Sequence, residues 1–128
     1  MFHLHNLEAI SADLGHTDGD AAAVEMAHQL VACFRDSDIV SRLAPDLFCV
    51  LLAGTDLDGV ENARYRLDEQ ISRRNRDSSY PYELLLHAHA VAFKKGRHAD
   101  AVALLQDAES RINEAREREQ DELSAEAG

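Results

Sequence analysis

Two short apolar runs, residues 39–43 and 48–52, are separated only by Ala44-Pro45-Asp46-Leu47, and this spacing constrains the fold more than any other feature. Such runs around a short turn predict a β-hairpin, with Pro45 confined to the turn because it has no N–H to give to a ladder. The second run, F-C-V-L-L, is apolar at every position and reads as a central strand covered on both faces. A chain built on it must lay other strands alongside and helices above.

The flanking sequence supplies both. Apolar Phe2 and Leu4 alternate with His3 and His5, a strand signal over residues 2–6. Apolar residues at 7, 10 and 14 have helical spacing, and Gly15 ends that helix. Thr17 and Asp18 are placed to cap a second helix that buries Ala23, Ala27, Leu30, Val31 and Phe34. Gly54, Asp56 and Asp58 mark a loop, after which Val60, Ala63, Leu67 and Ile71 form another helical stripe. Residues 73–82 read as a polar loop, 84–93 as a strand and 94–98 as a basic turn. Ala101, Leu104, Leu105, Ala108, Ile112 and Ala115 line a last helix. The order β-α-α-β-β-α-β-α predicts an α+β fold with helices packed on an antiparallel sheet. In such a layout the first and last strands are neighbours, and the hairpin's second strand flanks the first on its other edge. We expect one domain over residues 1–118, followed by an acidic flexible tail over 119–128.

Composition narrows the function classes. A net charge of −11 spread along 128 residues disfavours non-specific binding to nucleic acid or to an anionic membrane surface. No stretch approaches the ~18 apolar residues of a membrane span, and the start lacks the basic and apolar regions of a signal peptide. The expectation is a soluble, cytoplasmic protein. Cys33 and Cys49 fit no zinc or redox spacing and read as buried, reduced thiols.

Four local motifs carry a family resemblance. The segment 14–20, LGHTDGD, resembles the GHxxGD segment of GGDEF domains, the domains of bacterial diguanylate cyclases. Residues 34–52, FRDSDIVSRLAPDLFCVLL, resemble the family's RxxD-x5-GGDEF stretch, with Ala44 to Phe48 in place of the pentapeptide. Residues 87–93, HAHAVAF, stand where the family has an SxGVA strand, and residues 103–116 resemble its LLxxADxxMYxAK helix. The motifs fall in order and with family spacing over about residues 2–118. The resemblance implies a ferredoxin-like, nucleotidyl-cyclase palm. The family's opening helix and LTGLxNR segment have no counterpart ahead of Phe2, so the chain reads as a shortened and degenerate member.

Family members join two GTP molecules into cyclic di-GMP with magnesium, which wants hard oxygen ligands. The resemblance implies one acidic metal ligand at the position of His3 and a second at Asp46, which survives. The glutamate of the pentapeptide is Leu47 here, and its two glycines are Ala44 and Pro45. Imidazole is a poor magnesium ligand, and proline cannot take the conformations that two glycines allow. Of the guanine contacts, Asp20 matches and Ser11 replaces an asparagine. Arg116 stands where the family has lysine, and a later phosphate-binding arginine would fall near Gln120. We therefore expect no cyclase activity.

Arg35-Asp36-Ser37-Asp38 is an RxxD five residues before the turn, which the resemblance implies is an inhibitory site for cyclic di-GMP. Arginine grips phosphate or guanine in a fork of hydrogen bonds, and aspartate accepts from guanine N–H groups. The plainer reading is a solvated helix end and a polar turn. Two functions stay open: a receptor that binds cyclic di-GMP or GTP, and an inactive module that pairs with an active diguanylate cyclase or with a second copy of itself. A residual cyclase ranks behind them. So does a transition-metal domain, in which His3 and His5 on one strand and His87 and His89 on its neighbour gather near Asp46 to hold zinc. The plainer reading of those histidines is unrelated polar residues on an open sheet face. His16 fits the GHxxGD turn, and His28 and His98 read as surface residues.

Overall fold

The structure, a computed structural model, describes residues 1–52, 54–92, 96 and 98–127; the side chains of residues 101, 116 and 119–127 lie outside that description. The expected basic turn at 94–98 therefore falls mostly outside the described residues, as do the side chains of Arg116 and Gln120. The chain divides into two compact units, one of residues 2–87 and one that joins Met1 to the segment from residue 88 onward.

The larger unit opens with β1 (Phe2–Leu4), α1 (Leu7–Leu14) and α2 (His16–Cys33). It continues with β2 (Ile39–Ala44), β3 (Leu47–Leu51) and α3 (Leu57–Asn75), and reaches β4 (Leu86–Ala88). The sheet order is β2-β3-β1-β4, and β3 runs antiparallel to both of its neighbours. This is the arrangement expected from the element order. The hairpin is tighter than the sequence suggests: both strands extend until only Pro45 and Asp46 separate them. Pro45 suits the first corner of such a turn, where its fixed φ is needed and its N–H is not. A register shift between Arg42 and Ala44 makes Leu43 the extra residue of a bulge.

Phe48 at 0% exposure is the largest wholly buried side chain, and Leu4, Met26, Leu30, Leu67 and Leu84 are buried as well. The apolar face of α2 is turned from the expected one. Ala22, Ala23, Met26 and Leu30 are buried, while Val31 is exposed. Gly15, not Thr17 or Asp18, precedes the helix, with φ at 97°. Thr17 and Asp18 lie within its first turn, where Asp18 complements the helix dipole instead of capping it. The turn of α2 also explains Gly19. A Cβ there would come within 2.0 Å of the Ser11 Oγ, so glycine lets α1 and α2 close on each other.

In α3 the stripe Ala63, Leu67 and Ile71 is buried as expected, and Asp56 caps the helix by accepting from the Gly59 N–H at 2.9 Å. Asp58 belongs to the helix, not to the loop before it. The helix also runs to Asn75, so Arg73 and Arg74 are helical, and Arg74 is buried.

The fourth strand is much shorter than the expected 84–93. Side-chain amides take over part of its pairing. Asn75 accepts from the Leu84 N–H and donates to the Leu84 carbonyl, both at 2.9 Å. Asn6 donates to the Glu83 carbonyl at 2.8 Å and accepts from the Leu85 N–H at 3.2 Å. Backbone groups satisfied in this way need no strand partner.

In the smaller unit, the Met1 ammonium donates to the His89 carbonyl at 2.7 Å, and the His89 N–H returns a bond to the Met1 carbonyl at 2.9 Å. Helix α4 (Ala101–Ala127) carries buried Ala108 and Ile112, two members of the expected stripe. His98 is buried, not on the surface, because its Nε2 meets Asp107 Oδ2 at 2.8 Å; Asp107 in turn accepts from Arg111 Nε at 3.1 Å.

Candidate functional site

The hairpin turn and the first strand bring together the residues singled out for metal chemistry. Alternation along β1 sends Phe2 and Leu4 to one face and His3 to the other. Phe2 reaches the Phe34 ring at 6.2 Å, and Leu4 is wholly buried. On the opposite face, antiparallel pairing sets His3 across from Leu47, beside the turn. The Nε2 of His3 then lies 3.0 Å from Asp46 Oδ2. An ionised carboxylate only accepts, so the imidazole donates in this bond. His3 is buried and Asp46 is half-buried.

Two more imidazoles complete this face. The rings of His5 and His87 stack at 4.3 Å between centroids and 25° between planes. His3 lies 6.4 Å from each of them. Three of the four histidines expected to gather do so; His89 belongs to the other unit. The rings meet by their faces, and among the described residues no group of three or more His, Cys, Asp or Glu is already arranged to hold a metal ion.

The carbonyls of the turn are also occupied. Arg42 donates through Nη2 to the Pro45 carbonyl at 2.7 Å and through Nε to the Ala44 carbonyl at 3.3 Å, with its guanidinium 5.9 Å from the Phe48 ring centroid. Nothing in the order of residues signals this bond, because it depends on the bulge at Leu43.

The second candidate site is the junction between α2 and β2. The helix ends at Cys33, and residues 35–38 close a turn through an Asp38 N–H bond to the Arg35 carbonyl at 2.9 Å. Asp38 Oδ2 accepts from the Arg35 N–H at 2.9 Å and from its Nε at 3.4 Å. Nη2 of Arg35 reaches Asp38 Oδ1 at 3.4 Å and Thr55 Oγ1 at 2.8 Å. The two partners differ in exposure: the Asp38 side chain is 2% exposed and the Arg35 side chain 58%. Burial pushes the Asp38 carboxyl up, but the backbone and guanidinium bonds from Arg35 outweigh it and hold the carboxyl below its ordinary value. Asp38 is thus turned inward to fix the arginine, while the guanidinium faces solvent.

Asp20 is exposed on α2 next to Gly19, and Ser11 is half-buried against that glycine. The corner between α1 and α2 thus holds both residues assigned to a guanine edge. Cys33 is half-buried and Cys49 buried, and both are free thiols. Burial raises the Cys33 pKa, which Arg66 only partly opposes, so this thiol is a poor nucleophile at neutral pH.

Sequence reasoning missed one cluster altogether. Buried Arg74 forms an ion pair with Glu25, its Nη2 lying 3.0 Å from Glu25 Oε1. It also donates to the Tyr82 carbonyl at 2.6 Å and lies 3.9 Å from the Tyr80 ring centroid and 5.0 Å from that of Tyr82. The only signal available was a single arginine in the α3 stripe, three residues after Ile71.

Comparison with known proteins bears on both sites. The family model described as "Diguanylate cyclase, GGDEF domain" matches residues 1–122. The chain is also similar to a protein of Escherichia coli strain K12 named "Probable diguanylate cyclase DgcC", with 30% identity over 72 residues. A protein of the same name from Escherichia coli O6:H1 strain CFT073 matches to the same degree. The matched stretch is 56% of this chain and 19% of each relative, so the chain spans about a fifth of their length there.

Proposed function

The chain belongs to the GGDEF family of diguanylate cyclase domains, and from that premise we propose that it serves cyclic di-GMP signalling as a receptor that binds the dinucleotide at Arg35 without making it. The observation that carries this reading is the preformed Arg35–Asp38 turn. A buried carboxylate holds an exposed guanidinium in place, so little ordering remains to be paid for when an anionic ligand arrives. Arginine suits both phosphate and the guanine edge. The corner with Asp20 and Ser11 offers a second guanine contact. We assign these roles to residues 1–118 and treat the acidic segment 119–128 as an appendage.

The cyclase pocket supports the loss of synthesis. Magnesium, the family's metal, requires hard oxygen donors in near-octahedral array. The donors here are an imidazole at His3 and the single carboxylate of Asp46, and Leu47 contributes only hydrocarbon. These residues do not fit magnesium. The turn that would approach phosphate has proline at one corner, which offers no N–H to an anion.

Calorimetric titration with cyclic di-GMP tests the proposal. We expect heat with the native chain and none with Arg35→Ala, and no cyclic di-GMP formed from GTP by either. Binding unchanged in Arg35→Ala, or steady turnover of GTP, overturns it. A chain that binds neither nucleotide yet co-purifies with a second GGDEF protein, or self-associates, is instead the pairing module.

A further inference from the structure

We propose that the Thr55 hydroxyl is a latch on the Arg35 site: it holds a guanidinium hydrogen that a phosphate or a guanine edge would take, and a ligand enters by displacing it. The inference rests on the receptor function proposed for Arg35 and adds the residue that sets affinity and selectivity there.

The guanidinium is planar, and its hydrogens point in fixed directions. Nε and Nη2 share one edge, and Nη1 and Nη2 share the end. Asp38 takes the edge, with Oδ2 3.4 Å from Nε and Oδ1 3.4 Å from Nη2. The second hydrogen of Nη2 therefore lies at the end of the group, and Thr55 Oγ1 accepts there at 2.8 Å. Phosphate oxygens and the O6/N7 edge of guanine grip arginine as a fork, with one hydrogen from each of two nitrogens. Asp38 has claimed one fork, and Thr55 closes half of the other.

The start of α3 turns the hydroxyl in this direction. Thr55 precedes the cap residue Asp56, and its methyl group lies over Gly59 in the first helical turn. A Cβ at residue 59 would come within 2.5 Å of Thr55 Cγ2, so glycine leaves the methyl its place. A β-branched side chain has few χ1 choices. With the methyl against Gly59, the hydroxyl meets Arg35.

The latch favours ligands with two acceptor atoms. Such a ligand replaces the Thr55 bond and adds a second one, whereas a single acceptor only exchanges itself for Thr55. Arg35 is 58% exposed, so the exchange takes place at the surface while Asp38 keeps its hold from below.

Calorimetric titration of cyclic di-GMP into the native chain and into Thr55→Val tests the latch. Valine keeps a methyl against Gly59 and removes the acceptor. We expect Thr55→Val to bind about tenfold more tightly, the low end of the worth of a hydrogen bond to a charged group. Thr55→Ser, which restores the hydroxyl, should return the affinity toward the native value, and adding Arg35→Ala to Thr55→Val should abolish the gain. Equal or weaker binding in Thr55→Val overturns the latch and leaves the receptor function standing if the native chain binds. Binding by Thr55→Val alone supports the latch and overturns the receptor function. Binding by neither overturns both. Should Thr55→Val fail to fold, Gly59→Ala takes its place, because it displaces the Thr55 methyl and with it the hydroxyl. Tighter binding in that variant supports the latch, and unchanged or weaker binding overturns it.

Discussion

Two arginine–carboxylate pairs in the larger unit have the same chemistry and opposite exposure. In the Arg74–Glu25 pair the arginine is the buried partner, 4% exposed, and it is enclosed by Tyr80, Tyr82 and the Tyr82 carbonyl. In the Arg35–Asp38 pair the aspartate is buried and the guanidinium is open to solvent. A cation with every hydrogen bond directed inward ties α3 to α2 and fastens the loop that follows it. In the second pair the cation is held from below by the buried carboxylate and keeps 58% of its side chain exposed. Which partner is buried, more than the presence of the pair, separates an arginine enclosed by the fold from one that faces solvent.

The comparison predicts unequal responses to removing each arginine. Arg74→Ala leaves Glu25 without its cation and opens space between the tyrosines. We expect a loss of about 3 kcal/mol, the low end for a broken buried pair because Glu25 is partly solvated, measured by urea unfolding. Arg35→Ala keeps the residue-35 N–H bond to Asp38 but strips the guanidinium from a buried carboxylate, so the unfolding midpoint should fall by less than in Arg74→Ala while the proposed ligand binding is lost. Equal destabilisation by the two substitutions would dissolve the distinction.

A smaller effect is expected at the corner of α1 and α2, which carries Ser11 and Asp20. Gly19→Ala gains helix propensity of up to about 1 kcal/mol but drives a methyl group into the Ser11 Oγ. Overpacking of this kind costs about 1–3 kcal/mol, so the net change should be a loss of about 1 kcal/mol. Ser11→Ala in the same chain should recover part of it in a double-mutant cycle. Additive effects would show that the two helices do not meet through this pair.

The smallest expected effect is the pH response of Asp38. Its carboxyl is held below the ordinary value of about 3.9, so the stabilisation it gives is complete above that value. It fades as pH falls below 3.9 through the folded value. The stability difference between the native chain and Asp38→Asn, followed by thermal unfolding, should be constant near neutrality and shrink only in that acid range. A difference that shrinks near pH 6–7 would assign the effect to a histidine instead.

Much of the fold is legible in the pattern of residues. The hairpin, the element order and the apolar stripe of α3 follow from local periodicity, which the chain carries in short windows. Errors arise where a distant partner intervenes. The buried face of α2 is turned toward Ala22 and Met26, and Gly19 sets that turn through a close approach to Ser11. The strand expected at 84–93 begins late, at Leu86, where Asn75 and Asn6 have already satisfied backbone groups of residues 83–85. His98 looks like a surface residue until Asp107, nine positions on in α4, draws it inward. At the site, the residue types at His3, Ala44, Pro45 and Leu47 are visible in sequence. The stacking of His5 on His87 and the capping of the turn by Arg42 are not.

The identity of each functional group was settled in the order of residues: which positions carry carboxylate, imidazole, guanidinium or hydrocarbon, and with what period they recur. Folding settled which of those groups meet and which stay in water. His3 reaches Asp46 across 43 positions and Arg74 reaches Glu25 across 49. Pairing over such separations is decided by strand register and helix packing, because burial makes a charge seek whatever partner the fold places within hydrogen-bond reach.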